Sequence, residues 1–285
     1  MATIIDGKAT SAKIRQDLKR QTEEFVKKTN ITPGLAVIIV GDDNASKIYV
    51  RNKKNACGEV GYYSEEYALP ESTSQDELLK LIHKLNARKD IHGILVQSPL
   101  PKHIDEKFIV DNIDPKKDVD AFHPLNVGKI MLGSYDFVPC TPYGVMQLLE
   151  EYNIEVEGKN CVVVGRSNIV GKPQAMLLLH KNATVTICHS KTKNLSDITR
   201  NADIIVMAVG KAGLLKGDMI SDGAVVIDVG MNRDENGKLC GDADFAECEK
   251  KASFITPVPG GVGPMTITML MKNTLKAAKL FAEEI

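Results

Sequence analysis

Tryptophan is absent from this chain, and aromatic residues make up only 5% of it. So few π-faces argue against the stacking platforms that grip single-stranded nucleic acid. Net charge is also missing: 36 Lys and Arg face 37 Asp and Glu, leaving −1. A dedicated nucleic-acid binder would carry a basic field, so no nucleic-acid partner is expected. Long apolar runs are missing too. Leu35–Val40 and Ile204–Val209 are among the longest, at about six residues where a membrane helix needs ~20. The opening MATIIDGKAT has no basic stretch leading into an apolar one, so no secretory leader is expected. The six cysteines (57, 140, 161, 188, 240 and 248) form no CxxC pair. Neither a zinc ribbon nor a disulfide framework is expected, nor any other metal site. Free thiols suit a reducing compartment, and a cytoplasmic location is expected.

What is present reads as a globular protein: 43% hydrophobic and 26% charged residues over 285 positions. At ~100–200 residues per domain, two domains are the expectation. Short continuous apolar runs mark strands buried on both faces. They fall at Leu35–Val40, Tyr62–Ala68, Gly93–Val96, Cys161–Val164, Thr184–Cys188, Ile204–Val209, Ala224–Val229 and Ser253–Thr256. Helical patterns separate most of them, as at Asp43–Cys57, where Ala45, Ile48 and Ala56 are expected to face a core, and at Ser74–Ala87. This alternation predicts an α/β protein of two doubly wound domains with parallel sheets, the second Rossmann-like, separated by a cleft. Pro139-Cys140-Thr141-Pro142 reads as a loop, Tyr143–Tyr152 as a helix and Pro264–Ile285 as a long closing helix. The predicted division is 1–148 plus 265–285 for one domain and 149–264 for the other.

The second half carries a dinucleotide pattern with altered lettering. Cys161–Val164 runs into Gly165-Arg166-Ser167-Asn168-Ile169-Val170-Gly171, a strand, a glycine turn and a helix start. Gly165 permits the tight turn, Ser167 stands where a second glycine is usual, and the helix N-terminus offers N–H groups to a pyrophosphate. An ordinary βα turn has the same letters. After Thr184–Cys188, an NAD enzyme often places an acid for the ribose 2′-hydroxyl. Here His189-Ser190-Lys191-Thr192 follows. Hydroxyl and cationic donors suit a 2′-phosphate, and Arg166 adds a planar fork, so NADP is expected rather than NAD. Val209-Gly210-Lys211 and Val229-Gly230-Met231-Asn232 follow further strands and read as walls of the same crevice.

In the first half, Tyr49 and Lys53 stand four apart on one helix face. A lysine beside an aromatic and partly buried is a candidate for proton transfer. Lys47, Arg51, Lys53 and Lys54 also read as a solvated basic face. Gln97-Ser98-Pro99-Leu100-Pro101 follows a strand, where ligands meet parallel sheets; a rigid surface turn has the same composition. Within 115–124, the acids Asp118 and Asp120 can hold an amino-substituted ring or solvate a loop. The run 257–264 contains three glycines and three prolines, which fixes an uncommon backbone path suited to close approach of a ligand.

Taken together, SKIYVRNKKNACGEVGY (46–62), GILVQSPLPKHID (93–105), PKKDVDAFHPLNVGK (115–129), PCTPYGV (139–145), GKNCVVVGRSNIVGKP (158–173) and TPVPGGVGPMTITML (256–270) resemble the bifunctional methylenetetrahydrofolate dehydrogenase/methenyltetrahydrofolate cyclohydrolase family. The resemblance covers essentially the whole chain. It implies NADP-dependent oxidation of 5,10-methylenetetrahydrofolate, then hydrolysis of the methenyl product to 10-formyltetrahydrofolate. It also implies a homodimer. Lys53 resembles the family's catalytic lysine, Tyr49 the aromatic packed on the folate, Gln97 the partner tuning the lysine, and Asp120 the acid holding the pterin. Ser98, Pro99 and the loop Pro259, Gly260, Gly261, Val262 and Gly263 resemble the rest of the substrate site. Gly165, Arg166, Ser167, Ser190 and Met231 resemble the cofactor side, with Arg166 and Ser190 at the 2′-phosphate. Two other readings stay open: a different NADP-linked dehydrogenase of amino-acid or shikimate type, and a non-catalytic nucleotide- or folate-binding regulator.

Overall fold

The computed structural model describes residues 1–284, with the side chains of all but Asn44 and Ala45. The expected core position Ala45 therefore lies outside the described side chains. Along the chain run β1 (Thr3–Ile4), α1 (Gly7–Thr29), β2 (Gly34–Val40), α2 (Asn44–Val60), β3 (Tyr63–Leu69), α3 (Gln75–Ala87), β4 (Gly93–Val96), α4 (Glu106–Asp111), α5 (Pro124–Leu132) and α6 (Cys140–Glu151). Then come β5 (Asn160–Val164), α7 (Gly171–His180), β6 (Thr184–Cys188), α8 (Leu195–Arg200), β7 (Ile204–Met207), β8 (Val225–Asp228), β9 (Asn232–Arg233), β10 (Leu239–Cys240), α9 (Phe245–Cys248), β11 (Phe254–Ile255) and α10 (Val262–Glu284). The chain divides into two compact units, Met1–Ala12 with Thr141–Thr266 and Lys13–Cys140 with Ile267–Ile285.

The unit built on Lys13–Cys140 holds a three-stranded parallel sheet in the order β3-β2-β4. All seven residues of the central β2 are buried, which explains its unbroken apolar lettering. Ala36, Ile38, Leu78, Ile82, Leu85, Ile94 and Ile109 form its core with α3 and α4. The leucine and isoleucine side chains among them each contribute ~1.5–3 kcal/mol when removed from water. Helix α3 opens with a full capping box between Ser74 and Glu77, which satisfies N–H groups the first turn leaves unpaired. The chain leaves β2 toward β3, then crosses back to β4. Carboxyl ends of strands at such a reversal form a ligand crevice, and here the flanking segments carry Lys53 and Gln97.

The other unit holds a six-stranded sheet in the order β1-β11-β8-β7-β5-β6, parallel throughout. Its direction of winding reverses between β5 and β7, so the crevice there lies at Gly165 and Ala208. Val162, Val164, Ile205, Met207, Val226 and Ile255 fill its core. The expectation that residues 1–12 belong with the first sheet does not match this pairing. Thr3 and Ile4 sit beside Phe254 and Ile255, completing the second sheet. Two residues leave no periodic signal, and their partner lies some 250 positions away. Pro139–Pro142 also differs from the expected loop, because α6 begins at Cys140. Pro142 falls in its first turn, where a missing N–H costs nothing.

Candidate functional site

Helix α2 is fixed at its start by Asp43, whose Oδ2 accepts the Ser46 N–H at 2.7 Å. Ser46, Val50, Lys53, Cys57 and Val60 then recur at helical spacing and are all buried. Lys53 thus stands in the inward stripe, only 8% exposed, among basic neighbours that face water. Ile48, expected in the core, is 52% exposed; two residues beyond Ser46, it falls on the opposite side of the helix. Tyr49 is half-buried one turn before Lys53, and burial raises its phenol pKa.

Lys53 Nζ donates to Gln97 Oε1 at 2.8 Å. Gln97 follows β4 directly. Its N–H continues the ladder to Ile38 O at 2.8 Å, and its Nε2 donates to Ser98 O at 2.7 Å. With the amide nitrogen so engaged, the amide oxygen must face the lysine. A neutral acceptor here, rather than a carboxylate, leaves desolvation dominant. Burial lowers the Lys53 pKa, while the charge of Asp120 pulls it back up. An amine held this way moves protons more readily than a solvated lysine.

Asp120 is half-buried in a loop that three other side chains hold. Asp118 is 2% exposed, and its Oδ2 accepts the His123 N–H and Asn126 Nδ2, both at 2.8 Å. Asn273 of α10 donates through Nδ2 to Val119 O at 2.7 Å and Val138 O at 2.8 Å. Beside them the Cys140 thiol is fully buried and raised well above its ordinary pKa, by burial first and then by Asp120. The two acids of this loop therefore differ: Asp118 organises backbone, and Asp120 acts on Lys53. The sequence reads Asp118 with Asp120 as an acid that holds a ring or solvates a loop, whereas Asn126 and Asn273 were not singled out from it. Their only trace there is polar lettering within otherwise apolar surroundings.

The remaining substrate-side candidates are less uniform. The Ser98 hydroxyl donates to Glu106, which leaves its backbone as the part a ligand can meet. Pro99 is exposed, and its peptide bond with Ser98 is cis. In the other unit, Pro259 and Gly263 are exposed, Gly260 has φ +107°, and Val262 is 3% exposed. The Val262 side chain therefore belongs to packing, not to a ligand surface. The amino-terminal segment backs this loop. Lys8 N–H donates to Gly260 O at 3.0 Å, Ser11 Oγ to Pro264 O at 3.2 Å, and a Cβ on Gly7 would lie 1.8 Å from Gly261 O.

At the cofactor candidates, Gly165 has φ +141°, and a Cβ there would lie 2.3 Å from Ala208 O. The strand ends thus leave a backbone-walled notch that only glycine keeps open. Arg166, Ser190 and Lys191 are exposed around it, a donor set that fits a phosphorylated ribose. The helix terminus differs from expectation. Ser167 Oγ accepts the Val170 and Gly171 N–H groups at 3.2 and 3.3 Å, and Ser167 O accepts that of Lys172 at 3.0 Å. These amides are occupied within the protein and are not free to hold a pyrophosphate. His189 Nδ1 accepts the Lys191 N–H at 3.1 Å, and Thr192 Oγ1 accepts that of His189 at 2.9 Å, so both shape the turn presenting Ser190. Met231 is 54% exposed. Among the described residues, no cluster of His, Cys, Asp or Glu is arranged to hold a metal, and no helix is long and apolar enough to cross a membrane.

Residues 5–120 match the sequence family described as tetrahydrofolate dehydrogenase/cyclohydrolase, catalytic domain, and residues 139–282 match its NAD(P)-binding domain. The chain belongs to the tetrahydrofolate dehydrogenase/cyclohydrolase family. Bifunctional protein FolD of Acetivibrio thermocellus is 62% identical over 99% of each chain. The crystal structure of the bifunctional FolD of Campylobacter jejuni is 54% identical, covers 98% of this chain and 99% of its own, and superposes with a TM-score of 0.96. The Trypanosoma brucei FolD, solved in complex with NADP cofactor and an inhibitor, is 41% identical over 98% of each chain, with a TM-score of 0.94. The family is therefore carried by both halves of the chain, each with its own share of the candidate residues.

Proposed function

We propose that this member of the family oxidises 5,10-methylenetetrahydrofolate with NADP⁺ and hydrolyses the methenyl product to 10-formyltetrahydrofolate. The observation that carries this reading is Lys53: 8% exposed, pKa lowered by burial, and hydrogen-bonded to the oriented amide oxygen of Gln97 at 2.8 Å. When bound, NADP⁺ accepts the hydride leaving the one-carbon bridge. The protein's part in that step is orientation, for which well-placed reactants are worth several kcal/mol. Tyr49 offers an aromatic face to the folate, and Asp120 accepts from the amino-substituted pterin edge. In the unit of Lys53, the backbones of Ser98 and Pro99 offer further contacts to the substrate; in the other unit, Pro259, Gly260, Gly261 and Gly263 form a loop suited to the close approach of a ligand.

Hydrolysis asks more of the chain. Water oxygen bonds to the one-carbon centre and loses both its protons as it becomes the formyl carbonyl; the bond to N5 breaks as N5 takes one proton, and the other is released to solvent. Lys53 moves these protons, and Gln97 holds its amine in place between transfers. Arg166 and Ser190 bind the 2′-phosphate, and Gly165, Ser167 and Met231 present backbone to the dinucleotide. The test is optical: methenyltetrahydrofolate absorbance on mixing methylenetetrahydrofolate with NADP⁺ or NAD⁺, then its decay in water. Absence of oxidation with either cofactor overturns the reading.

We also infer a homodimer in a reducing compartment. Strand β6 closes one side of the six-stranded sheet and exposes Thr184, Thr186 and Ile187 with no charged residue among its five. Such an edge invites pairing with another chain. All six cysteines are unpaired. Sedimentation at micromolar concentration should give about twice the 31.1 kDa chain mass.

A further inference from the structure

Two buried carboxylates in the Thr141–Thr266 unit take no part in the chemistry above. Asp242 is 0% exposed and Asp228 3%. Neither has a cationic partner among the described salt bridges. Asp242 Oδ2 accepts the N–H groups of Val209 at 2.7 Å and Gly210 at 3.1 Å. Its Oδ1 accepts the Lys211 N–H at 2.8 Å and Asn232 Nδ2 at 2.9 Å. Asp228 stands behind it. Its Oδ1 accepts the N–H groups of Gly230 at 2.8 Å and Asp242 at 3.0 Å, and its Oδ2 accepts that of Ala243 at 2.7 Å. Glycine is required on both sides. A Cβ on Gly230 would lie 2.4 Å from Asp242 Oδ1, and one on Gly241 2.0 Å from Asp228 Oδ2.

Burying two acids side by side without a cation is costly, and an apolar core would be cheaper. What the pair supplies is loop geometry. The segments it ties together, 209–211 after β7 and 230–232 after β8, lie past the carboxyl ends of adjacent parallel strands, where open α/β sheets take their ligands. Val209, Gly210, Lys211 and Met231 are themselves exposed. Their backbone is thus held from beneath while their outer faces stay accessible. We propose that Asp242, supported by Asp228, is a positioning residue that pre-forms the nicotinamide-cofactor face from Val209–Lys211 and Met231–Asn232. This rests on the NADP reading of the same unit. A preformed face removes the ordering cost from binding, so the effect belongs in cofactor affinity rather than in folate hydrolysis.

The test is Asp242→Asn in the full chain, which keeps size but turns an NH₂ group toward donors. NADP⁺ affinity by calorimetry should weaken at least about tenfold. Amide exchange at 209–211 and 230–232 in the cofactor-free protein should quicken by a similar factor. Methenyltetrahydrofolate hydrolysis without cofactor, assigned to Lys53, Gln97 and Asp120, should stay within about twofold. Asn232→Ala removes only one of the four donors and should weaken NADP⁺ about threefold and quicken amide exchange at 209–211, which keeps the idea testable if Asp242→Asn fails to fold. Unchanged NADP⁺ affinity in either variant overturns the proposal, as does an equal loss of hydrolysis and cofactor binding. A wild-type chain that shows no NADP⁺ binding overturns the NADP reading itself, and its free-state exchange still reports whether the brace orders these loops.

Discussion

At the scale of single residues, the division of labour rests on which side chains can move a proton. Hydride transfer exchanges none with the protein, whereas hydrolysis must relocate protons at water and at N5. Lys53→Gln keeps length and polarity but cannot titrate. It should lower methenyl hydrolysis by roughly 10²–10⁴-fold while leaving measurable oxidation, so that methenyltetrahydrofolate accumulates. Normal hydrolysis in this variant would return Lys53 to a solvated basic face, a reading its 8% exposure already weakens. Arg166 tests the other half. A charge-assisted bond to a 2′-phosphate is worth ~1.5–3 kcal/mol, so on the proposed role Arg166→Ala should raise the KM for NADP⁺ roughly tenfold or more and barely alter NAD⁺ turnover. Equal losses with both cofactors would count against the assignment. The sequence already carried part of this. The spacing of Tyr49 and Lys53, and Gln97 just past a strand, are local patterns. That Lys53 turns inward while Arg51 and Lys54 face water follows from its place in the Ser46–Val60 stripe. Asn273 carries no such mark, because its partners Val119 and Val138 lie more than 130 positions away.

At the scale of elements, the strands with continuous apolar runs were legible to within a residue or two, as β2, β4 and β5 demonstrate. Elements defined by long-range pairing were not. Strand β1 exists because β11 offers it an edge, and α1 begins at Gly7, where Asp6 Oδ1 accepts the Ala9 N–H at 2.9 Å and the chain passes close against Gly261. The same close approach makes a prediction. In Gly7→Ala the new methyl would lie 1.8 Å from a backbone oxygen, and neither partner is the end of a flexible side chain. The 257–263 loop must shift, at an overpacking cost of ~1–3 kcal/mol. Folate KM should rise in both reactions and the melting temperature should fall by a few degrees, whereas NADP⁺ affinity should hold. Kinetics of the two half-reactions with calorimetric melting check this, and an unchanged folate KM would separate Gly7 from the substrate loop.

At the scale of the whole molecule, the two units carry buried titrating groups with opposite acid responses. His92 is 3% exposed at the start of β4, and its Nδ1 accepts the Gly34 N–H at 3.0 Å. Phe281 packs edge-on against the ring at 5.2 Å. Burial, and then the charge of Lys117, push its pKa down to about 4, with Asp90 opposing. An unfolded histidine titrates near 6.5. The stability that neutral His92 provides is thus complete above pH 6.5 and is lost as pH falls toward 4, with about 2 kcal/mol gone by pH 5. Protonating Nδ1 also removes the acceptor for Gly34. Asp228 works the other way. Burial raises its carboxyl to about 6 from the usual 3.8, so its ionisation in the folded state costs stability that acid restores between those values. Between pH 7 and 5, amide protection in β2 and β4 should therefore fall while that in β7 and β8 holds or rises. His92→Asn places an amide oxygen where Nδ1 accepts and cannot titrate, so it should flatten the loss in β2 and β4. Native-state hydrogen exchange at the two pH values reads both effects, and an equal acid loss in wild type and His92→Asn would show that another group governs the response of this unit.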